Sequence, residues 1–230
     1  MIIEAKPLPI KLLRWLAIIA TRLFRRRFNK MIINDAEIKP GHSYLLMCNH
    51  FSFLDGFLAI YLCLKGINNK QPLNGFYIMA LKKQMKKHWW LKYIGAFSIA
   101  PGTPTVEESL DYAAKILSTP GNLMLFYPQG NLESLYVRHI EFKDGVSQIV
   151  PKINGDCQLL WCSILTEYFE SIKPSVYFNL LDCGTNHEFN FDRLKRGVNN
   201  HHLKTIKSNI RFTREPLVSP HPNPSPKDRG

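Results

Sequence analysis

The chain has 230 residues, 45% of them apolar, with 30 Lys and Arg set against 18 Asp and Glu for a net charge of +12. That length fits one domain with room for a small appendage, and that apolar fraction excludes a chain disordered throughout. The charge points to an anionic partner: a membrane surface, a nucleic acid, or a phosphorylated or CoA-type ligand.

Residues 10–29 are predicted to form an amphipathic basic helix. Leu12, Leu13, Leu16, Ile19, Ala20 and Leu23 recur at helical spacing, with Lys11, Arg14, Arg22, Arg25, Arg26 and Arg27 around them and Trp15 and Phe24 near the apolar edge. Such a helix suits a membrane interface. The same pattern also fits a surface helix docked on its own domain. The unbroken apolar run Trp15 to Ala20 is far short of the roughly 20 residues a membrane span needs. No small-x-small cleavage site follows it, so a signal peptide is not expected either.

Next comes a turn at Pro40-Gly41, then a buried strand from Ser43 to Cys48 and a loop at Asn49-His50. A helix is predicted over Ser52 to Lys65, with Phe53, Leu54, Phe57, Leu58, Tyr61 and Leu62 on its buried side. After a loop at 66–75, strands are predicted at Gly75 to Leu81 and Phe97 to Ala100. Between them lies a basic, aromatic stretch from Lys82 to Tyr93. A helix over Thr105 to Leu117, capped by Thr103 or Thr105, precedes a strand at Asn122 to Tyr127. A loop then runs from Pro128 to Gly145. A helix at 146–153, strands at 158–165 and 175–181, a helix at 188–208 and a last strand at Ile210 to Thr213 complete the pattern. Strands alternate with helices, so the fold class is α/β with a mainly parallel sheet flanked by helices. The tail from Ser219 is Pro-rich and reads as disordered.

Five cysteines (Cys48, Cys63, Cys157, Cys162 and Cys183) form no C-x-x-C and stand among apolar residues. They read as reduced, buried thiols of a cytosolic-side protein, with no disulfide and no metal site expected. His201-His202 has no partner ligands nearby and reads as an exposed pair. His187, near Asp182 and Glu188, reads as structural.

Two stretches carry candidate chemistry. In His50-Phe51-Ser52-Phe53-Leu54-Asp55, an imidazole at a strand's end stands five positions before an acid in the first turn of a helix. A carboxylate on one ring nitrogen fixes the tautomer and leaves the other nitrogen free to take a proton. Equally, Ser52-x-x-Asp55 fits a capping box and His50 a loop residue. In Tyr127-Pro128-Gln129-Gly130-Asn131-Leu132-Glu133-Ser134, a strand again ends in a turn, bringing backbone N–H groups and side-chain amides to the same sheet edge. An ordinary β-to-α turn has the same composition.

Together these stretches resemble the glycerolipid and lysophospholipid acyltransferase superfamily, whose first motif is N-H-x4-D and whose third is F-P-E-G-T-R-S. The stretch from Lys83 through Gly95-Ala96-Phe97-Ser98-Ile99 resembles its second block. Phe142-Lys143-Asp144-Gly145 resembles the F-K-x-G before its fourth, where Leu159 to Ile164 then stands. The resemblance implies that His50 is a general base and Asp55 its orienter. It places Asn49, Pro128, Gln129, Gly130 and Asn131 at the substrate, with Lys143 as an anion contact. The donor would be acyl-CoA or acyl carrier protein, used as a substrate with no further cofactor. The acceptor would be a lipid hydroxyl. The chain departs from the motifs at Gln129, where the family has Glu, and at Leu132, where it has Arg. The second block also lacks its Arg. Arg forks bind phosphate, so unless Arg138 or Lys143 substitutes, the expected acceptor is another lipid or glycolipid hydroxyl, or an amine, rather than a glycerol phosphate.

Membrane contact is expected through Arg14, Trp15, Arg25, Arg26 and Arg27. It is expected also through Lys86, Lys87, Trp89 and Trp90, which combine charge with interfacial aromatics. A solvated basic face over two core Trp residues is the other reading of the latter group. No segment resembles a nucleic-acid-reading module. The expected organisation is a membrane-associating helix at 1–30, an acyltransferase domain at 31–218 and a tail at 219–230. It would lie peripherally or monotopically on the cytoplasmic face of the inner membrane. A non-catalytic lipid-binding protein on the same fold and an acyl-thioester hydrolase are the alternative functions.

Overall fold

The computed structural model describes residues 1–169 and 171–209. The predicted strand at Ile210 to Thr213 and the Pro-rich tail lie outside them. Helix α1 (Ile10–Arg25) leads into strand β1 (Met31–Asn34), β2 (Ser43–Cys48) and helix α2 (Asp55–Leu62). Strand β3 (Gly75–Leu81), helix α3 (Lys82–Lys87), strand β4 (Ala96–Ile99), helix α4 (Thr105–Leu117) and strand β5 (Asn122–Phe126) follow. Helix α5 (Gly145–Ile149), the long strands β6 (Cys157–Glu167) and β7 (Ser175–Thr185), and helix α6 (Phe191–Ser208) complete the described chain.

The seven strands form one sheet in the order β1-β7-β6-β2-β5-β3-β4. Every pairing is parallel except that of β6 with β7. A parallel strand in mid-sheet is covered on both faces, so it reads as a continuous apolar run. Ser-Tyr-Leu-Leu-Met-Cys of β2 is such a run, and all six residues are buried. Its side chains alternate between two cores. Leu45 and Met47 pack with Met124, Phe126 and Leu110 beneath α4, α5 and α6. Tyr44, Leu46 and Cys48 pack with Leu123, Leu125, Leu58 and Leu62 beneath α2, where Phe24 at the end of α1 also packs.

Several local expectations change. Strand β1 was not anticipated; Met31 to Asn34 is short, and only its pairing with Val176 to Asn179 of β7 makes it a strand. The helix expected from Ser52 begins at Asp55 and widens into a π-turn over Cys63–Ile67. Phe53, Leu54 and Phe57, expected on its buried side, are all exposed, Phe53 by 88%. Neither threonine caps α4: Pro104 holds that position, and Thr103 Oγ1 donates to Ala100 O instead. His202 is buried rather than part of an exposed pair. His187, read as structural, pairs with Asp156. Among the described residues no helix is long and apolar enough to cross a membrane.

Candidate active site

Strands β2 and β5 are parallel neighbours. Chain direction therefore brings the loops after Cys48 and Phe126 to one edge of the sheet, the edge where open α/β sheets hold their ligands. His50 leaves the first loop and Tyr127 the second. Their rings stack with centroids 4.2 Å apart and planes 22° apart.

The His50–Asp55 pair is made. His50 Nδ1 lies 2.8 Å from Asp55 Oδ2. The same oxygen accepts the backbone N–H groups of Phe51 at 2.7 Å and Ser52 at 2.9 Å. Asp55 therefore ties the turn together and orients the ring at once. Only half of a capping box forms: Ser52 Oγ accepts from Leu54 N–H, not from the N–H of Asp55. The Asp55 side chain is 1% exposed and that of His50 27%. With its proton on Nδ1 facing the carboxylate, the imidazole presents a lone pair on Nε2, which can take a proton from a bound hydroxyl.

The second loop grips the first. Gln129, itself buried, accepts the His50 backbone N–H at 2.8 Å through Oε1 and donates through Nε2 to Glu133. Glu133 N–H in turn donates to His50 O at 2.8 Å. Gln129, where the superfamily motif has Glu, thus holds the main chain of His50. Pro128 is buried below it and accepts Lys143 N–H at 2.9 Å. Gly130 turns with φ +68°, and a Cβ there would meet the Lys143 side chain at 3.0 Å, so the aliphatic stem and ammonium of Lys143 lie across this glycine. Asn131 and Leu132 are exposed beside it.

Asn49 has a different placement from the one expected. It is buried, donates to Ile164 O at 3.0 Å and accepts Ile164 N–H at 2.7 Å. Its amide continues the β2–β6 pairing one residue past the strand and does not face the open edge.

Helix α6 supplies residues the sequence reading missed. Asn199 Oδ1 accepts Ile140 N–H at 2.6 Å, and its amide donates to Ile140 O. Trp161 Nε1–H donates to Ser163 Oγ at 2.8 Å, Ser163 lies 3.0 Å from His202 Nδ1, and His202 Nε2 lies 3.0 Å from Val137 O. A carbonyl only accepts, so Nε2 carries the proton and Nδ1 accepts from Ser163. This neutral chain satisfies every member, and burial pushes the His202 pKa down. Together these contacts fasten the 128–145 loop to α6. The spacing of Leu194, Val198, His202 and Thr205 on one helical face was the available signal, and all four are buried.

Around the mouth, the apolar stripe of α1 faces outward. Leu12, Trp15, Leu16, Ile18, Ile19 and Leu23 are all exposed, Trp15 by 59%. Arg25, Arg26 and Arg27 follow them and are exposed, whereas Arg14 turns inward to Asn68 Oδ1 at 3.1 Å. Phe24 of α1 stacks on Phe57 of α2 at 5.0 Å, so the stripe runs on to Phe57. Trp89 and Trp90 are exposed rather than core residues, as are Lys86 and Lys87. The segment before α1 pairs with the chain just after them, Lys6 N–H donating to Lys92 O and Leu8 N–H to Tyr93 O, both at 2.9 Å. A groove of about 580 Å³ opens beside the site, lined by Phe51, Leu54, Leu58 and Leu165 with Arg138 and Glu167. Burial pushes the Glu167 carboxyl pKa up.

The Acyltransferase family model matches residues 30–164, more than half of the chain, and the protein belongs to that family. Its fold is similar to that of the 1-acyl-sn-glycerophosphate (LPA) acyltransferase PlsC from Thermotoga maritima. The TM-score is 0.62 at 15% identity, over 88% of this chain and 81% of that one. That likeness is one of fold. No curated protein sequence matches the chain.

Proposed function

We propose that this acyltransferase moves a fatty acyl group from acyl-CoA or acyl carrier protein to the hydroxyl of a lipid acceptor at an anionic membrane surface. The observation that carries the reading is the partly exposed His50 ring, fixed through Nδ1 by a buried carboxylate at 2.8 Å. Nε2 takes the proton of the acceptor hydroxyl as its oxygen bonds to the thioester carbonyl carbon. The C–S bond then breaks, and the imidazolium returns the proton to the departing thiolate. Asp55 keeps the tautomer and steadies the charge that forms on the ring. General-base assistance of this kind contributes about 10²- to 10⁴-fold in rate.

The apolar groove beside Phe51 and Leu54 suits an acyl chain, since ligand sites of this size and lining are typical of apolar substrates. Lys143 across Gly130 is the cation nearest the turn for an anionic group of donor or acceptor. Leu132 offers no fork for a phosphate, which favours acceptors without one. The outward apolar stripe of α1, with its arginines and with Trp89 and Trp90, supports peripheral attachment by the face that carries the site's mouth. A helix docked on its own domain would bury that stripe instead. With a reduced set of thiols, the cytoplasmic face of the inner membrane is the proposed location.

The test is to incubate purified protein with labelled acyl-CoA, or acylated carrier protein, and total membrane lipid, and to identify the labelled product. An acylated lipid is expected, and His50→Ala is expected to lower its formation by at least about 10²-fold at an unchanged melting temperature. Free fatty acid without acylated lipid marks a hydrolase, vesicle binding without thioester consumption marks a lipid-binding protein, and either result overturns the proposal.

A further inference from the structure

Among the described residues, two buried polar atoms of this site have no hydrogen-bond partner: Asp55 Oδ1 and the Tyr127 hydroxyl. A buried carboxylate oxygen left bare is costly, and native structures rarely leave one. The two groups are complementary, because an ionised carboxylate only accepts and a phenol can donate. Both engage the same imidazole, Asp55 in its plane at Nδ1 and Tyr127 against its face. The other strong donors nearby are committed. The Gln129 amide serves Glu133, the Asn49 amide serves Ile164, and the N–H groups of Phe51 and Ser52 already serve Asp55 Oδ2.

We propose that Tyr127 donates its O–H toward Asp55 Oδ1 across one bridging water, and is a positioning residue for the His50–Asp55 pair. The hydroxyl completes the carboxylate's shell and tempers its pull on the imidazole proton. Phe stands at this place in the superfamily motif, so the hydroxyl is an addition of this chain to the same aromatic slot. Tyr127 is suited to the part. Burial, and then the neighbouring Cys48 and Asp55, push its phenol well up, so it remains a neutral donor. The other titratable groups around the pair are Cys48 of β2, Cys162 of β6, Cys63 of the π-turn and Glu133 of the loop. Burial pushes the thiols of Cys48 and Cys63 up, and Glu133 is held by the Gln129 amide.

The proposal rests on the acyl-transfer reading only for its consequence in rate; the coupling itself can be read without turnover. The measurement is the titration of the His50 imidazole C–H resonance, assigned with His50→Ala, in the full chain and in Tyr127→Phe. Phe keeps the ring stack and removes only the hydroxyl. With Asp55 left a stronger partner for the imidazole proton, the His50 midpoint is expected to rise by about one pH unit, a tenfold change in proton affinity. In an Asp55→Asn background, Tyr127→Phe is expected to move nothing. A midpoint unmoved by Tyr127→Phe overturns the proposal, and so does an equal shift that persists without the carboxylate. A protein that shows the shift yet transfers no acyl group sinks the proposed function and leaves this coupling standing. An active enzyme with an unmoved midpoint does the reverse.

Discussion

Asp55 holds three donors with one oxygen, and replacing it separates its structural from its electrostatic work. Asp55→Ala strips the acceptor from the N–H groups of Phe51 and Ser52 and from His50 Nδ1. A hydrogen bond to a charged group is worth about 1.5–3 kcal/mol. Phe51, Ser52 and His50 are only half-buried, so water replaces part of what is lost. Removing a fully buried carboxylate also relieves its desolvation. We expect the remainder to be about 2 kcal/mol of lost stability. For a chain of this length that lowers the melting temperature by about 4–8 °C. Asp55→Asn keeps an acceptor oxygen but not the charge, so it is expected to melt within a few degrees of the parent protein. Both variants should lose about 10²- to 10⁴-fold in transfer rate. Thermal denaturation and the labelled-lipid assay, run side by side, test the argument. An Asp55→Ala protein that melts with the parent would show that the carboxylate does not hold the turn. An Asp55→Asn protein with parental turnover would show that its charge does not serve the imidazole.

Two further outcomes follow from the same geometry. Burial pushes the His202 pKa below its ordinary value of 6.5, so below pH 6.5 the unfolded chain binds more protons than the folded one and stability falls. The loss is expected at up to about 1.4 kcal/mol per pH unit in urea titrations between pH 6.5 and 5. His202→Gln should flatten that slope, and a slope unchanged in the variant refutes the assignment. Changing Arg25, Arg26 and Arg27 together to Gln removes about 1 kcal/mol each from attraction to an anionic leaflet. Sedimentation with anionic vesicles should then weaken by about 10²-fold at an unchanged melting temperature; equal sedimentation of variant and parent would rule out this face as the point of attachment.

The α/β class was legible because β2 and β5 are unbroken apolar runs, and an apolar run between loops has few other uses. The His50–Asp55 pair was legible because five residues across a strand-to-helix turn leave little freedom. What was not legible depends on neighbours distant in the chain. Asn49 reads as a site residue in its motif, and only the adjacency of β2 and β6 shows that its amide is spent on Ile164. Strand β1 is four residues long and is created by β7, some 145 positions later. Phe53 and Phe57 fit a buried helical face by spacing. Phe53 is exposed because the helix starts only at Asp55, and Phe57 turns toward Phe24 of α1; local pattern reports neither. Two adjacent histidines have the pattern of a surface pair, yet the four-residue spacing of His202 from Val198 puts it on the buried face of α6.

The fastening of the 128–145 loop to α6 has a consequence for how the protein comes into being. Every motif residue of the site precedes residue 146, and the family match ends at residue 164. Yet the loop bearing Gln129 and Lys143 is tied at Val137 and Ile140 to His202 and Asn199. Chains are made from the N-terminus at about 5–20 residues per second. For several seconds a nascent chain therefore carries the whole chemical signature without the brace that fixes it. The brace comes only with α6. A fragment cut at the end of the recognisable family region would keep every motif and lose that brace.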